Sequence, residues 1–289
     1  MPRIEALIKA PMKLSELKRP DVERMNKDHL VVVVPLGSLE QHGQHLPLCT
    51  DSMLGEAVAG RVEAALPETV VLLPMQWLGS SDHHRKFPGT VSVPSSLYIE
   101  MVCHLCECLL GGGFARIFLL LSHGGNDVPC REALNRLALE HRDRHDFWIA
   151  SGGYWAVAEE AMRLPEMATP RPTHACEYET SMVLAERPDL VDMGQAVGHC
   201  LTVESAFYRP DGSGPSQVHV ALPFEHLTGT GALGRPELGT AEKGRRLLDA
   251  IAARVVEFVR EFAHWRRDRS PADFPFAVTA GNPPGGAAS

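Results

Sequence analysis

Glu40, His42, His45 and Asp51 fall within one short segment, P-L-G-S-L-E-Q-H-G-Q-H-L-P-L-C-T-D, running from Pro35 to Asp51. Carboxylates and imidazoles are the side chains that hold Zn²⁺, Mn²⁺ or Fe²⁺, so the segment fits a metal site. A polar loop that is merely rich in histidine is the other reading. Two further segments carry the same chemistry. Ser122-His123-Gly124-Gly125-Asn126-Asp127 follows an apolar run, and its glycines permit a tight turn that presents His123. His174-Ala175-Cys176-Glu177-Tyr178-Glu179-Thr180-Ser181 leads into a helix-like stretch. A helix starting near Glu177 places its carboxylates at a positive helix end. Each cluster alone is open to chance; three at strand or helix ends argue for one shared site.

The elements that must position these groups can be read from the spacing of apolar residues. Leu30-Val31-Val32-Val33-Val34 and Ile117-Phe118-Leu119-Leu120-Leu121 are unbroken apolar runs, the pattern of strands buried on both faces of a parallel sheet. Strands are expected at 30–36, 69–75, 116–121 and 146–151. Helices are expected near 52–65, 95–111, 129–142, 154–162, 178–186 and 240–264. Strands alternating with helices predict an α/β fold, a single-domain three-layer αβα arrangement with a mostly parallel central sheet. Ligands of such sheets sit beyond the carboxyl ends of the strands. The domain is expected to span 1–271, with a poorly ordered tail over 272–289. The Gly-, Pro-, Ser- and Thr-rich stretch 206–236 reads as an excursion over the mouth of the site.

The chain has 289 residues, a net charge of −8 and 44% hydrophobic residues. That balance is ordinary for a globular protein and gives no basic face for nucleic acid. No apolar run approaches the ~20 residues of a membrane span. The N-terminal Met1-Pro2-Arg3-Ile4-Glu5 lacks the apolar core of a signal peptide, so a cytoplasmic protein is expected. Of the seven cysteines, Cys103, Cys106 and Cys108 sit in a helical pattern without turn residues and read as core, not as a zinc site. Arg260, Arg266, Arg267 and Arg269 read as a solvated helix C-terminus, where cations are favoured.

The chain resembles the creatininase family of metal-dependent amidohydrolases. The resemblance rests on Pro35 to Asp51, on Phe87-Pro88-Gly89-Thr90, on His123-Gly124-Gly125-Asn126, and on His174-Ala175 running to Glu179-Thr180-Ser181, in the family's order and spacing. It covers roughly residues 15–262. It implies a pair of divalent ions, Zn²⁺, Mn²⁺ or Fe²⁺, with Asp51 as the bridge and Glu40, His42 and His123 as terminal ligands. Such ions make water acidic enough to attack an amide at neutral pH. Creatininase itself has an aromatic residue and then a ligand glutamate after the turn histidine. Here Gly124 and Gly125 stand there, and Glu179 is expected to supply the carboxylate, with Glu177 able to substitute. The same gap argues against creatinine as the substrate.

The resemblance also makes His174 the proton-transfer group, and Glu177 is placed with it among the catalytic residues. Ser81 and His84 match substrate-contacting positions, while His83 replaces a glutamate. His83, Arg85 and Lys86 could read a carboxylate or phosphate, although the two cations are also ordinary solvated loop residues. Tyr154 and Trp155, just past a strand end, are expected to wall the pocket. His45 is expected to orient a ligand. The function implied is hydrolysis of a C–N bond in a cyclic amide or formamide small molecule by a homo-oligomer, a hexamer as in the family. A sugar-derived ring or a peptide precursor is the alternative substrate, and a catalytically inactive metal-binding regulator the alternative class.

Overall fold

The computed structural model describes residues 12–267. Five strands form one sheet in the order β1-β3-β2-β4-β5, parallel throughout. They are β1 (Met12–Lys13), β2 (Val31–Leu36), β3 (Val70–Leu72), β4 (Arg116–Leu121) and β5 (Trp148–Gly153). The helices are α1 (Arg19–Arg24), α2 (Thr50–Ala65), α3 (Ser95–Gly111), α4 (Asp127–Glu140), α5 (Tyr154–Val157), α6 (Glu177–Glu186) and α7 (Ala241–Phe262).

Side chains alternate across a strand, so each apolar run feeds two cores. Val31, Val33, Phe118 and Leu120 face one side and pack with Leu54 and Val58 of α2, Met182 of α6 and Leu248 of α7. Val32, Val34, Ile117 and Leu119 face the other side and pack with Val102 and Cys106 of α3 and Ala133 of α4. This is the three-layer single domain, and it explains why these strands lack polar alternation. From β2 the chain runs to β3 on one side and then crosses to β4 on the other. The order therefore reverses beside β2, and the crevice opens at the carboxyl ends of β2 and β4.

Several boundaries differ from expectation. β1 and α1 were not anticipated; two and six residues are too short to show a period. β3 ends before Pro74, which cannot donate to a ladder. β5 starts two residues later than expected, with Trp148 N–H donating to Ala115 O. The helix expected over 154–162 is regular only to Val157 and then continues as turns, with Met162 N–H reaching Ala158 O. All seven cysteines are free; Cys103 and Cys106 are core, whereas Cys108 is exposed. Arg267 reaches Asp28 at 3.1 Å. Arg269 and the expected tail over 272–289 lie outside the described residues.

Candidate active site

β2 delivers Glu40 and His42, β4 delivers His123, and β5 leads directly into Tyr154 and Trp155. Asp51 sits in the first turn of α2 and Glu179 in the first turn of α6. All of these segments end over the same sheet edge. The result is a cavity of about 270 Å³, walled by Glu40, Asp51, His123, His174, Glu179 and Phe224 among others.

Asp51 lies at the centre. Its Oδ1 is 3.2 Å from His42 Nε2 and its Oδ2 is 2.9 Å from His123 Nδ1. Ser38 Oγ donates to Oδ2 at 2.6 Å. His42 Nδ1 is 3.2 Å from the Glu40 carbonyl oxygen, so Nδ1–H donates there and Nε2 is aimed inward. Glu40 is fully buried. Its Oε1 is 3.3 Å from His84 Nε2 and its Oε2 is 3.3 Å from His123 Nε2, yet neither oxygen accepts a well-formed hydrogen bond. A buried carboxylate left in that state is costly unless a cation compensates it.

Gln41 fixes two ring tautomers. Its amide nitrogen has two hydrogens; Gly231 O, 3.0 Å away, takes one and His84 Nδ1, 2.8 Å away, takes the other. His84 therefore carries its proton on Nε2, facing Glu40. The Gln41 carbonyl oxygen lies 2.9 Å from His174 Nε2, which donates to it and leaves His174 Nδ1 as a bare lone pair 3.7 Å from Glu40 Oε1. Ala175, the one non-glycine residue with positive φ (49°) among the described residues, turns the chain here. That conformation costs an L residue ~1–2 kcal/mol. It lets His174 face the cavity while the Ala175 N–H donates to Glu179 Oε2 at 2.5 Å.

The charges are mutually dependent. Burial alone would raise Glu40 and Asp51, but the facing imidazoles hold both below the usual carboxylate range, Asp51 far below. Burial alone would lower His42, yet Asp51 and then Glu179 bring it up to about 9. His123 is raised likewise by Glu40 and Asp51. Burial lifts Glu179 to about 7, because His42 offsets only part of the cost. Burial and the charge of His42 push His174 down to about 3, so its ring is neutral at pH 7. Burial and the surrounding imidazoles drive His84 far down. Burial, Glu179 and Asp51 raise Tyr154, keeping its hydroxyl protonated. Three carboxylates thus share one buried site with two imidazolium rings, and full ionisation of the third, Glu179, is disfavoured. A divalent cation would compensate this donor set, since Asp, Glu and His are ligands such ions take.

Not every expected residue joins the cluster. Glu177, expected as a catalytic group, is turned away, which corrects that placement. Two residues on a helix differ by about 200°, so Glu177 and Glu179 face opposite sides of α6. The Glu177 carboxylate instead accepts from Ala168 N–H (3.1 Å), Thr169 N–H (2.8 Å), Thr169 Oγ1 (2.8 Å) and Lys243 Nζ (2.6 Å). Ser81, expected to contact substrate, is fully buried, with its hydroxyl 3.2 Å from His123 Nε2. His45 Nε2 lies 2.8 Å from Thr180 Oγ1, beside Glu179. His84, Tyr154 and Trp155 do line the cavity. Gln41, Ser38 and Phe224 were not singled out from sequence. Gln41 and Ser38 sit inside the first motif and carried a signal. Phe224 did not: it comes from the irregular excursion over 206–236 and lies 4.0 Å from the His84 ring and 4.7 Å from that of His174.

A family model described as Creatinine amidohydrolase matches residues 15–259. The mycofactocin precursor peptide peptidase of Mycobacterium tuberculosis is 30% identical over 248 residues, covering 81% of this chain and 85% of that protein. The 3-dehydro-scyllo-inosose hydrolase of Thermotoga maritima is 27% identical over 263 residues, covering 83% and 79%. A crystal structure of creatinine amidohydrolase (creatininase) superposes with a TM-score of 0.72 at 25% identity, covering 88% of this chain and 98% of that one.

Proposed function

The chain belongs to the creatininase family, hydrolases that act on C–N bonds, and from that premise we propose that it is a metal-dependent amidohydrolase of a cyclic amide or formamide other than creatinine. The observation that carries this is Glu40: both carboxylate oxygens are buried without hydrogen bonds in the midst of imidazoles. Asp51, between His42 and His123, would be shared by a pair of ions, with Glu40 and Glu179 completing their donors. When bound, such ions polarise a carbonyl and bring the ionisation of water toward neutrality.

The chain's own groups supply the rest. His174 donates from Nε2 to the Gln41 carbonyl oxygen and presents Nδ1 to the cavity, which places it to relay a proton to the departing nitrogen. Tyr154 keeps its hydroxyl proton and can donate to a substrate oxygen. Phe224 packs edge-on against His174, limiting that ring's movement and excluding water from it.

A peptide end is the second reading of the substrate. The cavity wall formed by Trp155 and Pro172 is also the wall of a neighbouring groove of about 450 Å³ that carries Arg163, Arg171 and Tyr178. A substrate longer than a small ring would continue over Trp155 into that groove, and the relative in Mycobacterium tuberculosis is by name a peptidase. Turnover on a panel of cyclic amides, formamides and short peptides, with metal content measured before and after chelation, tests both readings. Turnover that survives complete metal removal, or an Asp51→Ala variant that keeps its full metal content, would sink the metal-dependent reading.

A further inference from the structure

We propose that His83 is a metal ligand in this chain, standing in the space that Gly125 leaves free; the proposal rests on the metal-dependent reading above. Three groups of donors have ligand atoms within 4.8 Å of one another: His42, Asp51 and Glu179 in the first, Glu40, His83 and His123 in the second, and Glu40, His42 and His174 in a third that overlaps both. Asp51 connects the first two, since Oδ1 faces His42 and Oδ2 faces His123. Without His83 the second group holds one carboxylate and one imidazole of its own.

The placement of His83 is tightly determined. It sits in the 3₁₀ turn Asp82–His84. The strand of chain entering that turn is pinned by Asn126 Oδ1, which accepts from Ser80 N–H at 3.0 Å, and by Ser92 Oγ, which accepts from Ser81 N–H at 2.8 Å. The His83 ring lies nearly parallel to that of His123, with 5.8 Å between centroids and 13° between planes. A Cβ at position 125 would stand 2.8 Å from His83 Cε1, 2.4 Å from His123 Nε2 and 2.3 Å from Ser80 O. The last contact is with backbone, which cannot rotate away. Only glycine leaves room for the His83 ring. His83, which replaces the family's glutamate, and Gly125, which stands where creatininase itself has a ligand glutamate, therefore meet at one point in space. An imidazole here makes the second group neutral apart from Glu40 and the shared Asp51. Nitrogen donors suit Zn²⁺ better than Mn²⁺, which prefers oxygen, so the second group should favour zinc.

The test is competitive titration of chelator-stripped protein with Zn²⁺ and with Mn²⁺, together with the absorption spectrum of the Co²⁺-loaded protein. In His83→Ala, zinc affinity at one site should fall at least about 10–100-fold, the range reached when only a ligand's partner is removed. The other site should be unchanged, and the Co²⁺ bands should shift. His83→Glu should restore binding while raising the affinity for Mn²⁺ relative to Zn²⁺. Gly125→Ala, which displaces the ring without removing it, should reproduce the His83→Ala loss. Circular dichroism confirms that each variant is folded, and His83→Gln replaces any that is not. Unaltered zinc affinity and Co²⁺ spectrum in a folded His83→Ala or His83→Gln variant would overturn the assignment and leave the metal-dependent reading standing. A parent protein that binds no divalent ion would overturn both.

Discussion

Substituting Glu177 by alanine removes the acceptor of four hydrogen bonds at once. The carboxylate is fully buried, and the side chain of its ion-pair partner Lys243 is 16% exposed. Breaking a buried pair by deleting one partner costs ~3–5 kcal/mol, because the remaining charge is stranded. Two features place this case at the lower end. Lys243 keeps a bond to Leu238 O at 2.9 Å, and its partial exposure admits water. Glu177→Ala should therefore lose about 3 kcal/mol. Glu177→Gln keeps the shape and one oxygen but surrenders the charge, for a loss of about 2 kcal/mol. Equilibrium unfolding in urea with an unchanged m-value reads both losses. Glu177 is held below its ordinary value despite burial, by Lys243 and the Thr169 and Ala168 donors. Its contribution is therefore complete above the unfolded value near 4.5 and shrinks as pH falls through the folded value. The gap between parent and Glu177→Gln should accordingly narrow in acid. Metal content should be unchanged in Glu177→Gln and reduced in Glu179→Gln. A Glu177→Gln protein as stable as its parent but stripped of metal or turnover would refute the argument and return Glu177 to the chemistry.

Further outcomes follow from the same geometry. His174→Ala should retain metal and lose ~10²–10⁴-fold in kcat, less for substrates with better leaving groups; loss of metal instead would make it a ligand, and near-normal turnover would remove it from proton transfer. Gly244→Ala should destabilise by about 3 kcal/mol or more, since a Cβ there would stand 1.8 Å from Ser181 O where α7 crosses α6; thermal melting that leaves Tm unmoved contradicts the crossing. A homo-oligomer, the hexamer that the family resemblance implies, would find an apolar surface in Leu97, Val128 and Leu139, which are 56%, 74% and 64% exposed on α3 and α4. Light scattering that returns the single-chain mass of 31.6 kDa at micromolar concentration would refute it.

Some of this protein is fixed by local pattern and some only by the packed chain. Val31–Val34 and Ile117–Leu121 could be read as buried parallel strands because being covered on both faces removes polar alternation, a constraint visible residue by residue. The motif around Glu40, His42 and Asp51 was legible because those donors lie in one short segment that runs from β2 into the first turn of α2. Glu179 was favoured over Glu177 only through the family resemblance: both are carboxylates in one motif, and it is the phase of α6, packed on α7, that turns one toward Asp51 and the other toward Lys243. His83, Gln41 and Phe224 gained their places through contacts with residues 40 or more positions away. Their side-chain types were ordinary for loops, and no spacing rule links position 83 to 125 or position 224 to 174. Sequence determined which donors exist and which strand ends carry them, because both follow from local periodicity. The tertiary structure decided which of those donors share one buried cavity and in what protonation state, because desolvation and Coulomb energy depend on distances that the chain order does not specify.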